Sequence, residues 1–372
     1  MRKSLIWVAI TLVFSILLAF FAGAALLDVF VVEHESKEDI IVESVDFGSN
    51  SGTSSLESDL KETDNKSTDN KSTSKPTGST SNKNDKETSL NENSSSTPQL
   101  PNNTFLSNAE LATLSKAIKV TKNVGSHSND NVSLSVTEKV FTSGRYKTTY
   151  FVVDIKVSSV EHVKTVLASG EKFSTNTVET VANLATANNA IFAINGDGCG
   201  QSNRSKGYLV RNGITYRSTA RTSGDTEALV VYGDGNMEII DEKKTTLASV
   251  TNKWHVFSFG PALINNSKIS VGVEQEISNQ TMADNPRTAI GMVEPLHYVI
   301  IVANGRTDSS KGLTLYQLAQ ALAYEGCTLG YNLDGGGSST IWFKGEVLNY
   351  PTTHGSYKER EVSDIVYIEA GT

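Results

Sequence analysis

The sequence predicts an α+β protein: a mixed β-sheet domain with a few packed helices, preceded by a transmembrane helix and a disordered linker. Three observations predict it. Short apolar, β-branched runs separated by Gly and Asn turn signals dominate the C-terminal region, only two stretches carry a helical period, and an N-terminal apolar run is followed by a long polar tract.

Residues 1–32 read as a signal anchor. Leu5 to Val32 is almost entirely apolar, interrupted by Ser15, Gly23 and Asp28, and a helix needs about 20 apolar residues to cross a bilayer. Arg2 and Lys3 ahead of it keep the N-terminus in the cytoplasm. A signal peptide cleaved near Ala22-Gly23-Ala24 is the competing reading. Either way the remainder lies outside the cytoplasm, as a single-pass protein with an extracellular C-terminal domain or as a secreted one. Residues 33–103 are rich in Ser, Asn, Thr, Lys, Asp and Glu, repeat "DNKST" in tandem, and lack the apolar surface that would offset chain entropy; they are expected to be disordered.

Residues 104–372 are expected to form one globular domain. "YFVVDIKVSS" (Tyr150–Ser159) reads as a buried strand, and "TVETVANLATANNA" (Thr177–Ala190) as a helix on Val178, Val181, Leu184 and Ala185 that leads into the strand "IFAI". Hairpins are expected about Asn212-Gly213 and Asp234-Gly235. "HYVIIVA" reads as a strand, and "TLYQLAQALAYEGC" as a helix burying Leu315, Leu318, Ala319 and Leu322, with Gly326 past its end. "LGYNL", "TIWFKGEVLNY" and "DIVYIEA" complete the strands.

The net charge of −8 and the lack of a basic stripe exclude a nucleic-acid partner. Two cysteines, Cys199 and Cys327, are no disulfide framework and fit no zinc site, although an exported pair can form one bond. Four clusters share one pattern in which an apolar strand ends and polar residues follow with glycines. "IFAINGDGCG" delivers Asn195 and Asp197; "DNPRTAIGM" delivers Arg287 and Thr288; "IIVANGRTDSS" delivers Asn304, Arg306, Thr307 and Asp308; "YNLDGGGSST" delivers Asn332, Asp334, Gly335, Gly336, Gly337 and Ser338. Strand ends are where a rigid scaffold holds side chains toward a ligand. Each cluster is also compatible with an ordinary turn. Three successive glycines imply either slack backbone or a backbone that something approaches closely.

The blocks "AINGD", "SFGPALI", "NPRTAIGM", "NGRTDSSKGLTLYQLAQAL" and "YNLDGGGSSTIWFKGEVLNYPT" together resemble the phosphodiester glycosidase family, from about Tyr150 to the final "VSDIVYI". The resemblance implies hydrolysis of a sugar-1-phosphodiester, of the GlcNAc-1-phosphodiester kind, in a cell-surface glycopolymer. Such chemistry needs cationic groups for the phosphate, a group that activates water, and polar groups that fix the sugar. Arg287 and Arg306 suit the phosphate, and Asp197 and Asp334 the catalytic carboxylates. Asn195, Thr288, Asn332 and Ser338 suit substrate binding, with Gly335, Gly336 and Gly337 leaving room for it. No cofactor is firmly implied; Asp197, Asp308 and Asp334 offer oxygen ligands of the type that hold Ca²⁺ or Mg²⁺, without a spacing that fixes a metal site. A disulfide between Cys199 and Cys327 would brace the site.

Members of the family usually carry two aromatics after the "NGD", where Gly198 and Cys199 stand here, and an Asp where Asn304 stands. A non-catalytic module that grips anionic glycopolymers is the alternative function. A serine hydrolase using Ser338 or Ser339 lacks the G-x-S-x-G pattern. His255 reads as a packing residue, and Asp364 and Arg360 as structural ion-pair members.

Overall fold

The computed structural model describes residues 105–200, 207–272, 284–353 and 355–371. The anchor and linker expected at residues 1–103 lie outside them. Among the described residues no helix is long and apolar enough to cross a membrane.

Twenty strands and three α-helices are present among these residues, numbered in chain order. The largest sheet runs β1 (Ile118–Ser128), β2 (Val132–Ser143), β3 (Tyr146–Val157), β14 (His297–Ala303), β13 (Arg287–Glu294), β15 (Leu329–Asn332), β11 (Ala262–Asn265), β12 (Lys268–Ile269). A second runs β7 (Ile214–Arg217), β6 (Leu209–Arg211), β10 (Lys253–Phe257), β8 (Glu227–Tyr232), β9 (Met237–Asp241). A third runs β17 (Glu346–Val347), β16 (Ile341–Phe343), β5 (Ala190–Asn195), β20 (Asp364–Glu369), β4 (Lys164–Leu167). A hairpin of β18 (Thr352–Thr353) and β19 (Ser356–Tyr357) stands apart. The α+β expectation holds, but the sheets are not mixed: the ladders among the described residues pair antiparallel. Short connections such as Asn212-Gly213 join antiparallel strands directly, whereas parallel neighbours need long crossovers.

The central strands β13 and β14 of the large sheet are buried on both faces, which is why they read as unbroken apolar runs. Along β14, Tyr298, Ile300 and Val302 face a core shared with Phe192 and Ile194 of β5 and Val366 of β20. Val299, Ile301 and Ala303 face a second core with Leu114 of α1 (Asn108–Ala117) and Leu315, Leu318 and Leu322 of α3 (Leu315–Tyr324). Each such leucine contributes about 1.5–3 kcal/mol by burial. Helix α3 starts where Thr314 and Gln317 form a capping box and stops before Gly326, whose φ of 88° an L-residue adopts only with strain.

Both expected hairpins form. Asn212 and Gly213 have φ of 50° and 79°, the left-handed pair of a tight turn, and Gly235 has φ of 81°. The helix expected over Thr177–Ala190 is shorter: α2 covers Val181–Ala187, because Thr180 caps it by accepting from Asn183 N, leaving Val178 outside. Cys199 and Cys327 are free, so the bracing disulfide is absent. Cys199 packs with Leu167 and Leu209, and Cys327 sits in the helix-side core.

The register brings the polar clusters to one end of the architecture. Arg287 at the start of β13 is opposite Ala303 at the end of β14, and Ala289 is opposite Asn332 at the end of β15. Asn195, ending β5, is joined to this group by side-chain contacts.

Candidate functional site

Asn195 is the staple of the site. Its Oδ1 accepts from Thr288 Oγ1 at 2.8 Å and from Thr340 N at 3.3 Å. Its Nδ2 donates to Asp334 O at 2.7 Å and Gly196 O at 3.1 Å. All these groups are buried, so each bond removes a desolvation cost that a lone polar atom would carry. Asn195 and Thr288 thus clamp the glycine loop to β5 and β13 rather than projecting into open space. Asn332 does the same on the other flank, donating to Gly260 O at 2.8 Å.

Gly196 is the hub of three carboxylate-bearing segments. Its N–H donates to Asp364 O at 2.9 Å and its carbonyl accepts from Asp334 N at 3.2 Å. The Asp364 carboxylate lies directly over its Cα, in the space a Cβ would take. Asp197 follows in sequence, and its Oδ2 accepts from Ser258 N at 2.9 Å.

Asp197 and Asp364 share one cation that the sequence did not single out. Arg211 Nη2 is 2.9 Å from Asp197 Oδ1 and 2.9 Å from Asp364 Oδ2. Those contacts are ionic in geometry; Nε, by contrast, donates to Asp364 Oδ2 at 2.9 Å as a hydrogen bond. Nη1 donates to Val210 O and Val256 O, and the guanidinium stacks over Phe257 at 4.2 Å. All three charged groups are buried. Burial pushes the Asp364 carboxyl up to about 6, with Arg211 pulling it down and Asp197 pushing it further up. The paired carboxylates hold the Arg211 guanidinium well above its ordinary value, against the cost of burial. Cys199 completes a buried Asp197–Cys199–Asp364 cluster of the type that can hold a cation. Here the guanidinium stands between the carboxylates, so the cluster reads as an ion triad; Asp308 is exposed and apart from it.

The question of what approaches the three glycines has a direct answer. A Cβ on Gly335 would meet Pro286 O at 3.0 Å and Arg287 Cδ at 4.0 Å. One on Gly336 would meet Arg306 Nη2 at 3.0 Å, and one on Gly337 would meet the Arg360 guanidinium at 2.8 Å. Three arginines therefore pack against three successive glycines. Gly336 has φ of 61°, a second reason for glycine there. Arg287 Nε donates to Leu313 O, and Arg306 donates to Asn285 Oδ1 at 3.0 and 3.2 Å. Arg360 is half-buried with no hydrogen-bond or ion-pair partner among the described residues.

Asp334 opens the loop. Its Oδ1 accepts from Gly335 N at 3.0 Å and its Oδ2 from Ser338 Oγ at 2.7 Å. Gly336 N is engaged by Pro286 O, and Ser338 N and Ser339 N by Gly335 O and Gly336 O. The loop thus spends most of its N–H groups on its own shape. Ser338 and Ser339 are fully buried, which argues against either as a presented nucleophile. Asn304 takes a backbone role, its Oδ1 accepting from Tyr350 N at 2.7 Å; an amide supplies that acceptor as well as a carboxylate does. His255 is buried packing, with Nε2 on Val163 O and burial lowering its pKa to about 3.

The structure thus draws Asn195, Thr288, Asn332, Asp334, Gly335, Gly336, Gly337, Ser338, Arg287 and Arg306 into one assembly. Asp197 joins it through Gly196. The residue missed is Arg211, for which a charged residue inside an apolar strand was the available signal. Asp364, read as an ion-pair member, does pair with it, whereas Arg360, read the same way, has no ion pair among the described residues.

Residues 188–369 match the family model described as phosphodiester glycosidase. The chain is 29% identical over 201 residues to the SPbeta prophage-derived uncharacterized protein YomE of Bacillus subtilis (strain 168), covering 52% of this chain and 30% of that protein. It is 37% identical over 68 residues to N-acetylglucosamine-1-phosphodiester alpha-N-acetylglucosaminidase of Homo sapiens, covering 18% of this chain and 13% of that one. The chain thus spans less than a third of the length of these curated relatives. The solved catalytic domain of the zebrafish enzyme of that name, auto-inhibited by its pro-peptide, aligns with a TM-score of 0.54 at 20% identity, over 68% of this chain and 88% of that one. At that identity the likeness speaks for the fold. Residues 188–369 are thus similar to the phosphodiester glycosidase family, and the fold they belong to is the one seen in the zebrafish catalytic domain.

Proposed function

We propose that this protein is a glycosidase that hydrolyses a sugar-1-phosphodiester at the glycine loop, acting outside the cytoplasm on a cell-surface glycopolymer. The observation that carries it is the packing of Arg306 and Arg360 against Gly336 and Gly337, beside the buried carboxylate of Asp334. Guanidinium groups are the side chains best suited to a phosphate. The family's curated human relative is named for a GlcNAc-1-phosphodiester, and that substrate class is the one inferred here.

In the reaction, water adds to the anomeric carbon and the bond from that carbon to the phosphate oxygen breaks. Asp334 takes the proton from water, and the phosphate monoester departs with the electron pair of the broken bond. Its added charge falls on the arginines, so a strong general acid is not required. Asp197, Arg211 and Asp364 are positioning residues in this scheme. Their triad holds the turn whose Gly196 and Asn195 anchor the backbone of Asp334. Tethering to the membrane rests on the apolar run Leu5–Val32, and fractionation of cells expressing the full chain tests it.

The test of the activity is release of reducing sugar from a GlcNAc-1-phosphodiester by the full chain. Wild type should release it, and Asp334→Asn should lose at least about 100-fold in kcat while keeping its unfolding midpoint. Absence of release by folded wild-type protein would overturn the proposal. Retained binding of the diester without turnover would instead support a module that grips anionic glycopolymers.

A further inference from the structure

The segment from Tyr350 to Arg360 links the two sides of the loop. At its start Tyr350 N donates to Asn304 Oδ1, two residues before Arg306. Thr352 Oγ1 then donates to Gly305 O at 3.2 Å, and β18 packs against the Gly336–Ser338 turn. Lys358 N returns to Pro351 O at 3.1 Å, and the segment ends by laying Arg360 over Gly337. The hairpin is therefore pinned beside both arginines that flank the glycines.

On this hairpin stand Tyr350 and Tyr357, at 48% and 58% exposure two of the most exposed large apolar side chains described. Their rings stack on each other with centroids 4.4 Å apart and planes 38° apart. Isolated surface tyrosines need no explanation, but two exposed rings in contact, on a hairpin pinned beside two arginines, do. Stacking fixes two rings at little further entropic cost and leaves a broad apolar face toward solvent. The turn after β5 carries Gly198 and Cys199, so that turn itself supplies no aromatic side chain.

We propose that Tyr350 and Tyr357 form an aromatic wall that takes the sugar ring of a glycosyl phosphodiester whose phosphate lies on Arg306 and Arg360. A pyranose presents an apolar C–H face that suits an aromatic surface, and its anionic substituent suits the adjoining guanidiniums; one ligand satisfies both halves. This inference rests on the function proposed above and assigns the residues that select the sugar. The phosphate contacts, by contrast, are indifferent to which sugar is attached.

The experiment uses the full chain with Tyr350→Ala, Tyr357→Ala, the double alanine variant and the double phenylalanine variant. Both positions are exposed, where substitutions cost little stability. Turnover of a GlcNAc-1-phosphodiester should show KM raised about two- to tenfold by each alanine, with kcat little changed. The phenylalanine variant should keep the wild-type KM, and inhibition by inorganic phosphate should be unaltered throughout. An unchanged KM in the double alanine variant overturns the wall and leaves the activity standing. Should wild type show no turnover, saturation-transfer NMR with GlcNAc 1-phosphate separates the two ideas. Transfer to the sugar protons that is lost in the double alanine variant supports the wall without the hydrolase; transfer unaffected by it, or none, overturns the wall.

Discussion

Gly337→Ala isolates the role of the arginines from the stability of the loop. Gly337 lies outside the left-handed region, so alanine there adds no backbone strain. Its methyl would stand 2.8 Å from Cζ, Nε and Nη2 of Arg360. Comfortable separation is about 3.5–4.0 Å, so the guanidinium must retreat by roughly 1 Å. Because Arg360 has no partner among the described residues to hold it, the retreat should cost less than about 1 kcal/mol of stability. A misplacement of about 1 Å in a group that aligns a reacting phosphate costs up to about 100-fold in rate. Gly337→Ala should therefore lower kcat/KM on a GlcNAc-1-phosphodiester by about 10- to 100-fold with an almost unchanged urea midpoint. Arg360→Ala should lose as much, and the double variant no more than either, since both remove the same contact. Gly336→Ala supplies the contrast: at φ 61° it pays about 1–2 kcal/mol in backbone strain as well as crowding Arg306. Full activity in Gly337→Ala, or a further loss in the double variant, would refute the reasoning.

The ion triad gives two further expectations. Arg211→Met leaves Asp197 and Asp364 buried without their cation and should cost about 3–5 kcal/mol in urea unfolding at pH 7; a cost below about 1 kcal/mol would mean that the triad is not closed to water. Asp364 sets a pH dependence of definite sign. Its folded pKa of about 6 lies above the ordinary carboxylate value, so its contribution to stability is fully present below about pH 4 and is lost as pH rises through about 6. Stability of wild type relative to Asp364→Asn should therefore fall across that window, and a flat or rising difference would contradict the burial of an ionised Asp364.

What could be read in advance was local. Asn212-Gly213 announced a hairpin because two adjacent left-handed residues suit few other structures, and Gly326 marked the end of α3; its start, capped by Thr314, was not singled out. The apolar run of β14 announced a strand, and the structure buries both of its faces. Strand direction was not local: β5 pairs with β16 and β20, both more than 100 residues away in sequence, and nothing in "IFAI" names its neighbours. The same holds for the triad, whose members at positions 197, 211 and 364 come from a turn and two strands in different parts of the chain. Asp197 could be recognised as site-associated; that its charge is already balanced by Arg211 could not.

That balance sorts the arginines of this region by what they can still do. Arg211 meets two carboxylates within 2.9 Å and gives its remaining donors to backbone carbonyls, so its charge is neutralised inside the protein. Arg306 meets an amide oxygen, which accepts its N–H groups without cancelling its charge, and Arg360 meets the face of a glycine. Two guanidiniums on neighbouring glycines repel each other, and a half-buried cation is hydrated less well than an exposed one. A phosphate placed between them relieves both costs at once. The glycine run is what makes that arrangement possible: side chains at Gly336 and Gly337 would occupy the places the guanidiniums now hold. The run thus lets positive charge come against the backbone within three residues of Asp334.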